Sequence, residues 1–173
     1  AVHLAFGFIL IFLLYPGRKC WSRTSMHPLD ILFAVVSAAC ALYIVVNYQE
    51  LVLRAGMNNE TDFVVGLVGT FMVFEAARRV VGWPMITVAF FFMVYAFFGP
   101  YIPGILAHRG VEIQEMFDHL FFTTEGIFGT PMGVSSTFIY LFILFGAYLE
   151  TTGLGKFFID IANAIAGWAA GGP

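Results

Sequence analysis

Three groups of side chains in this chain of 173 residues combine charge or hydroxyl oxygen with spacings that chemistry can use. The first is Glu75-Ala-Ala-Arg78-Arg79, a carboxylate followed three and four residues later by guanidinium groups. On a helix Glu75 lies beside both, in the favourable acid-before-base order. Charges inside an apolar helix often mark an ion or substrate path. At a helix end the same residues read more plainly as anchors that snorkel to the interface and fix topology. The second group is Glu115 and His119 at i and i+4, with Asp118 and His108 near in sequence. Their types suit a metal, yet any wetted helix face shows the same residues, so no metal is assigned. The third group is hydroxylic: Thr130, Ser135, Ser136 and Thr137. Gly133 precedes Ser135, but Thr137 stands where a G-x-S-x-G elbow needs glycine, so no activated serine is implied. These four are only weak polar candidates. Glu150 and Asp160 bracket a Gly153/Gly155 break and read as helix-edge caps. Glu75, Arg78, Arg79 and Glu150 are therefore structural or interface candidates. Neither an H-E-x-x-H motif nor a phosphate-cradling glycine loop occurs. No catalytic residue and no cofactor is assigned, and the chain does not read as an enzyme.

The elements that must position these groups are uncharged runs at 1–17, 31–48, 80–107 and 126–149. A helix crossing the ~30 Å hydrocarbon core needs about 20 mostly apolar residues. Soluble domains carry about 25% charged residues; this chain carries 11%, against 60% hydrophobic, and cannot cover a water-facing surface. The predicted fold is an all-α polytopic membrane protein with about five transmembrane helices, an interfacial amphipathic helix and the start of a further helix. A net charge of −3 without a basic cluster leaves no footprint for nucleic acid. Membrane lipid is the expected surrounding.

The first helix is predicted over 1–15, stopped by Pro16-Gly17. Arg18, Lys19, Arg23 and His27 follow, and Asp30 reads as the N-cap of a second helix ending near 48. Its small centre (Ser37, Ala38, Ala39, Cys40, Ala41) favours close packing in lipid. A disulfide between Cys20 and Cys40 is not expected, because one lies in a loop and the other at membrane depth. The third helix starts near 62, but its uncharged stretch 63–74 is short, so it reaches the interface through Glu75–Arg79. The fourth spans about 84–103, with Gly-Pro breaks at 99–104. In 112–124, Ile113, Met116, Phe117, Leu120 and Phe121 share one face, so this helix lies flat at the outer interface or packs on a neighbour. The fifth runs from about 134 to 151 as one continuous helix. Lys and Arg concentrate in the 16–28 and 75–83 connections, which places those inside and 49–62 and 104–125 outside. The chain opens at Ala1 within an apolar run and closes at Gly171-Gly172-Pro173, which reads as an internal fragment.

At Arg54-x-Gly56…Asp62, Glu75-Ala-Ala-Arg78-Arg79-x-x-Gly82, Gly126-Ile-Phe-Gly-Thr-Pro-Met-Gly-Val-Ser-Ser-Thr-Phe138 and Phe145-Gly-Ala-Tyr-Leu-Glu150-x-x-Gly153, the sequence resembles a tripartite ATP-independent periplasmic (TRAP) transporter permease. The closest form is the fused kind that works with TAXI-type binding proteins. The resemblance implies that 1–80 is part of the small, Q-type membrane domain and 81–173 the N-terminal part of the large, M-type permease domain. It implies a multi-pass protein of a bacterial or archaeal inner membrane, a secondary active transporter that takes up organic acids, often carboxylates, by sodium symport. A periplasmic TAXI-type protein would deliver the substrate. The family's sodium and substrate residues lie mainly in hairpins past Pro173, so no substrate-binding residue is carried over. Two other classes remain open: an accessory or structural membrane subunit without its own transport site, and a membrane-embedded enzyme acting through Glu115 or His119.

Overall fold

The computed structural model describes residues 1–17, 27–54, 56, 57 and 59–166, and every regular element among them is helical. The predicted loop cations Arg18, Lys19 and Arg23, together with Cys20 and the Gly171–Pro173 end, lie outside the described residues. The chain divides into two compact units, Ala1–Thr130 and Pro131–Pro173.

In the first unit, α1 (Val2–Leu14) is apolar on every side and ends where Tyr15 turns extended ahead of Pro16. Helix α2 (Pro28–Val46) opens with proline at its first position, where a missing N–H costs nothing. Its N-cap is His27, whose ring nitrogen accepts from the Leu29 amide at 3.3 Å. Asp30 is therefore not the cap the sequence suggests. It sits inside the first turn, 5% exposed, because another helix supplies its partner. A short α3 (Tyr48–Leu53) occupies the expected loop. Helix α4 (Glu60–Val80) starts at Asn59, whose amide donates to Asp62 Oδ2 at 2.9 Å. Gly82, at φ 99°, turns the chain into α5 (Trp83–Phe98), which tightens into two 3₁₀ turns at Gly99–Tyr101 and Gly104–Leu106.

Small residues decide how α1, α2 and α4 meet. Phe8 and Phe12 of α1 pack with Ala34, Met72 and Ala76, and Ala5 packs with Ala38 and Ala41. Ser37 is fully buried and satisfies its hydroxyl on the Phe33 carbonyl at 2.6 Å. Cys40 is a buried free thiol, whereas Ala39 faces outward. Without a hydrophobic drive between helices in lipid, close backbone approach of this kind holds a bundle together.

Helix α6 (Ile113–Phe122) takes the second of its two expected placements and packs on a neighbour, α4. Phe121 is wholly buried, and its ring lies where a side chain at Gly69 would stand. Phe122 and the Phe117 carbonyl close over Gly66 in the same way. The glycine pair cuts a flat notch into α4, and the aromatic face of α6 fills it.

Helix α7 (Thr130–Val134) begins at the boundary residue Thr130, and the second unit continues with a π-helical turn at Ser135–Ile139 and α8 (Tyr140–Thr152). Gly153, left-handed at φ 74°, ends α8 before α9 (Leu154–Ala166). The expected uninterrupted helix is thus corrected by a π turn. Ser136 Oγ and Thr137 Oγ1 both donate to the Gly133 carbonyl, at 3.0 and 2.9 Å, and compete there with backbone amides.

Among the described residues, three helices are long and apolar enough to cross a membrane: Pro28–Val46, Trp83–Tyr101 and Thr130–Thr152. This is the all-α membrane architecture predicted from the sequence. Helix α1 is shorter at 13 residues, and α4, at 21 residues, has the length but carries five charged side chains near its ends.

Candidate functional site

The strongest polar constellation forms where the ends of α1, α2 and α4 converge. Glu75 lies between both arginines, as the i+3 and i+4 spacing requires. Arg78 grips it with a two-pronged fork, Nε and Nη2 at 2.7 Å each, and Arg79 Nε adds a bond at 2.9 Å. Arg79 does not snorkel. Its side chain is 2% exposed and reaches across to Asp30 of α2 at 2.7 Å and to the Tyr15 carbonyl at 2.9 Å. Arg78 binds the Gly17 carbonyl at 3.0 Å. The guanidinium of Arg79 also lies 4.7 Å from the Phe12 ring centroid and 5.5 Å from that of Phe33.

This arrangement is neutral: two guanidinium groups face two carboxylates. The free carbonyls that every helix C-terminus leaves, here those following α1, become acceptors for α4's cations. Among the described residues Arg79 meets three oxygens and two aromatic faces. The geometry fastens the ends of α1, α2 and α4 to one another. Removing one partner of such a buried pair typically costs about 3–5 kcal/mol, because the other charge is left uncompensated.

A second fastening closes the opposite ends of α2 and α4. Asp62, which the sequence places at the end of the 49–62 connection where a helix starts, is 0% exposed. It accepts the Tyr43 hydroxyl at 2.7 Å and the Asn59 amide at 2.9 Å, with Arg54 Nη1 at 3.6 Å. Asn59 begins a formal N-x-T sequon, but the structure uses it as the N-cap of α4. Sequence reasoning passed over Asp30 and Asp62 as anchors. The available signal was an acid at the border of an apolar run, which also describes a simple cap.

The residues with metal-ligand character do not converge. Glu115 pairs with Arg109 at 3.1 Å, and His119 Nε2 lies 3.7 Å from Glu125. His108 is turned onto α5, against Tyr95. Glu115, Asp118 and His119 line a cleft of about 400 Å³ together with Leu51, Gly56 and Met57. Among the described residues no group of three or more His, Cys, Asp or Glu side chains is placed to hold a metal ion. Thr130 and Thr137 are exposed, and Ser135 and Ser136 half-buried. The hydroxyls of Ser136 and Thr137 are taken up by Gly133 as described. Glu150 is exposed in the last turn of α8, where its carbonyl accepts the Gly153 amide.

No curated protein and no solved structure matches this chain. A family model does. It is that of the tripartite ATP-independent periplasmic transporter, DctM component, and it covers residues 68–173, from the middle of α4 through both hydroxylic and Glu150 candidates. The match takes in more than half of the sequence, so the chain belongs to the DctM component family of tripartite ATP-independent periplasmic transporters and is a membrane component of such a transporter.

Proposed function

We propose that the chain is part of the permease of a sodium-coupled secondary transporter for organic acids, fed by a periplasmic solute-binding protein of the TAXI type. In this reading it lies in a bacterial or archaeal inner membrane and crosses it several times. Residues 1–80 belong to a small-subunit-like domain fused ahead of the large-subunit-like domain that starts near 81. The observation that carries the reading is the family match over 68–173, lying on two of the three helices apolar enough to span a bilayer. Sodium is the coupling ion of this proposal; no residue of 1–173 is assigned to it.

The test is uptake by the complete permease in proteoliposomes, with a radiolabelled carboxylate and the cognate binding protein outside. Uptake should need both an inward sodium gradient and the binding protein. Uptake driven equally well by a proton gradient would overturn the sodium coupling, and uptake without the binding protein would overturn the partner. Single cysteines at Val81 and Val111 test the orientation. The first should resist an impermeant thiol reagent in intact cells, and the second should react.

A further inference from the structure

The segment between α5 and α6 is folded back on the end of α5 by one imidazole. His108 lies against Tyr95 with ring centroids 4.8 Å apart and the rings tilted by 59°, and its ring occupies the space that the missing side chain of Gly99 leaves open. Its Nδ1 lies 3.1 Å from the Gly110 amide and its Nε2 lies 3.2 Å from the Tyr95 carbonyl. An amide N–H can only donate, so Nδ1 must be the bare, accepting nitrogen. Tyr95's carbonyl can only accept, so Nε2 must carry the hydrogen. The ring is therefore set in one neutral tautomer by two backbone groups of opposite character.

The backbone bonds around it depend on the same fold-back: the His108 amide to the Gly99 carbonyl at 3.3 Å, the Val111 amide to Ala96 at 3.1 Å, and the Tyr95 hydroxyl to Leu106 at 2.7 Å. Gly110, left-handed at φ 76°, turns the chain away toward α6. We propose that His108 is a proton-operated latch, which holds the 99–111 segment closed against α5 when neutral and releases it when protonated. A proton on Nδ1 would confront the Gly110 N–H with a second N–H, so the turn must open or the ring must leave. Histidine is the side chain whose charge changes in the physiological range.

Few other groups can shift this response. Helix α5 offers only Tyr95, and the Gly99–Tyr101 turn only Tyr101. The following segment supplies Arg109 and Glu112, with Glu115 on the first turn of α6. Arg109 and Glu115 are already paired with each other. The proposal stands on this local geometry and not on the identity of the transported substrate.

Hydrogen exchange of the Gly110 and Val111 amides, in the complete chain and corrected for intrinsic rates, tests it. Between about pH 7.5 and about pH 5 the wild-type protection should fall at least about tenfold. His108→Asn keeps an oxygen acceptor near the Gly110 amide but cannot titrate, so its protection should stay flat. Constant protection in the wild type would overturn the latch. An equal fall in His108→Asn would also overturn it and assign the response to Glu112 or Glu115. Should that variant not fold, ¹⁵N spectra of the wild-type imidazole decide: a bare Nδ1 at neutral pH supports the latch, and a protonated Nδ1 refutes it.

Discussion

The two compact units treat polar groups in opposite ways. Residues 1–130 bury charge: Arg79, Asp30 and Asp62 are all nearly or wholly enclosed, each bonded to a different helix or to a helix end. The described part of the second unit buries no ion pair, and no side chain of its long span is fully buried. The hydroxyls of Ser136, Thr137, Thr151 and Thr152 bond to their own helix, and apolar side chains such as Phe142, Ile143 and Phe145 are exposed. A helix that is apolar on every side is stable only when something else covers it, lipid or protein. The first unit carries its own fastenings; the second takes its stability from its surroundings.

The largest effect that would sharpen this contrast comes from Arg79. Arg79→Ala should destabilise the first unit by about 3–5 kcal/mol, read from its thermal or denaturant transition, since Asp30 is left buried without a cation. Arg79→Lys should recover little, because an ammonium cannot meet Asp30, Glu75 and the Tyr15 carbonyl as a planar fork does. Hydrogen exchange in 140–150 should not change in either variant. Parallel loss of protection there would end the distinction between a self-fastened and a dependent unit.

Glu75→Gln should have the next largest effect, about 2 kcal/mol, because the charge-assisted bonds from both arginines weaken while the side chain keeps its shape. Substrate affinity of the complete permease should be nearly unchanged. A tenfold affinity loss, about 1.4 kcal/mol, in a normally folded variant would place Glu75 in a binding site and remove the purely structural reading of the constellation.

What could be read in advance follows the range of the interactions. Glu75, Arg78 and Arg79 are helix neighbours, so their mutual pairing is visible in spacing alone. The bond from Arg79 to Asp30 joins residues 49 positions apart, and no local pattern encodes it. For the same reason Asp62 looked like a loop acid, although Tyr43, 19 residues earlier, holds it. The apolar face of α6 was legible as a 3.6-residue pattern, but its destination was not. Gly66 and Gly69 are unremarkable in an apolar run until Phe121 and Phe122 lie over them. The π turn escaped notice because five residues are too few to distinguish its period from that of an α-helix, and its cause is a bonding choice by Ser136 and Thr137.

The Gly69 notch supplies a smaller perturbation. Gly69→Ala places a methyl group where the Phe121 ring now lies. Overpacking costs about 1–3 kcal/mol, and the gain in helix propensity returns about 1 kcal/mol. A net loss of about 1 kcal/mol should result, confined to α6. Amides in 116–122 should exchange faster while the Arg79 end of α4 keeps its protection. Unchanged exchange in α6 would mean that its seat on α4 does not depend on this notch.

The smallest expected change lies in the second unit, where the contrast is most exposed to refutation. Replacing Ser136 with Ala and Thr137 with Val removes both hydroxyls from the Gly133 carbonyl and leaves the volume almost unaltered. Because those bonds run within one helix, stability should shift by no more than about 0.5 kcal/mol. The freed carbonyl should return to backbone amides and the π turn should relax toward an α-helix. A changed ¹³C carbonyl shift at Gly133 and altered exchange at 135–140 would report this. A loss above about 2 kcal/mol is the size expected when a buried polar group loses an essential partner. It would mean that these hydroxyls bond beyond their own helix and that the second unit carries a fastening of its own. Saturable sodium binding by residues 1–173 that disappears in the same variant would be stronger still, since it would turn Ser136 and Thr137 from helix-bending groups into ion ligands.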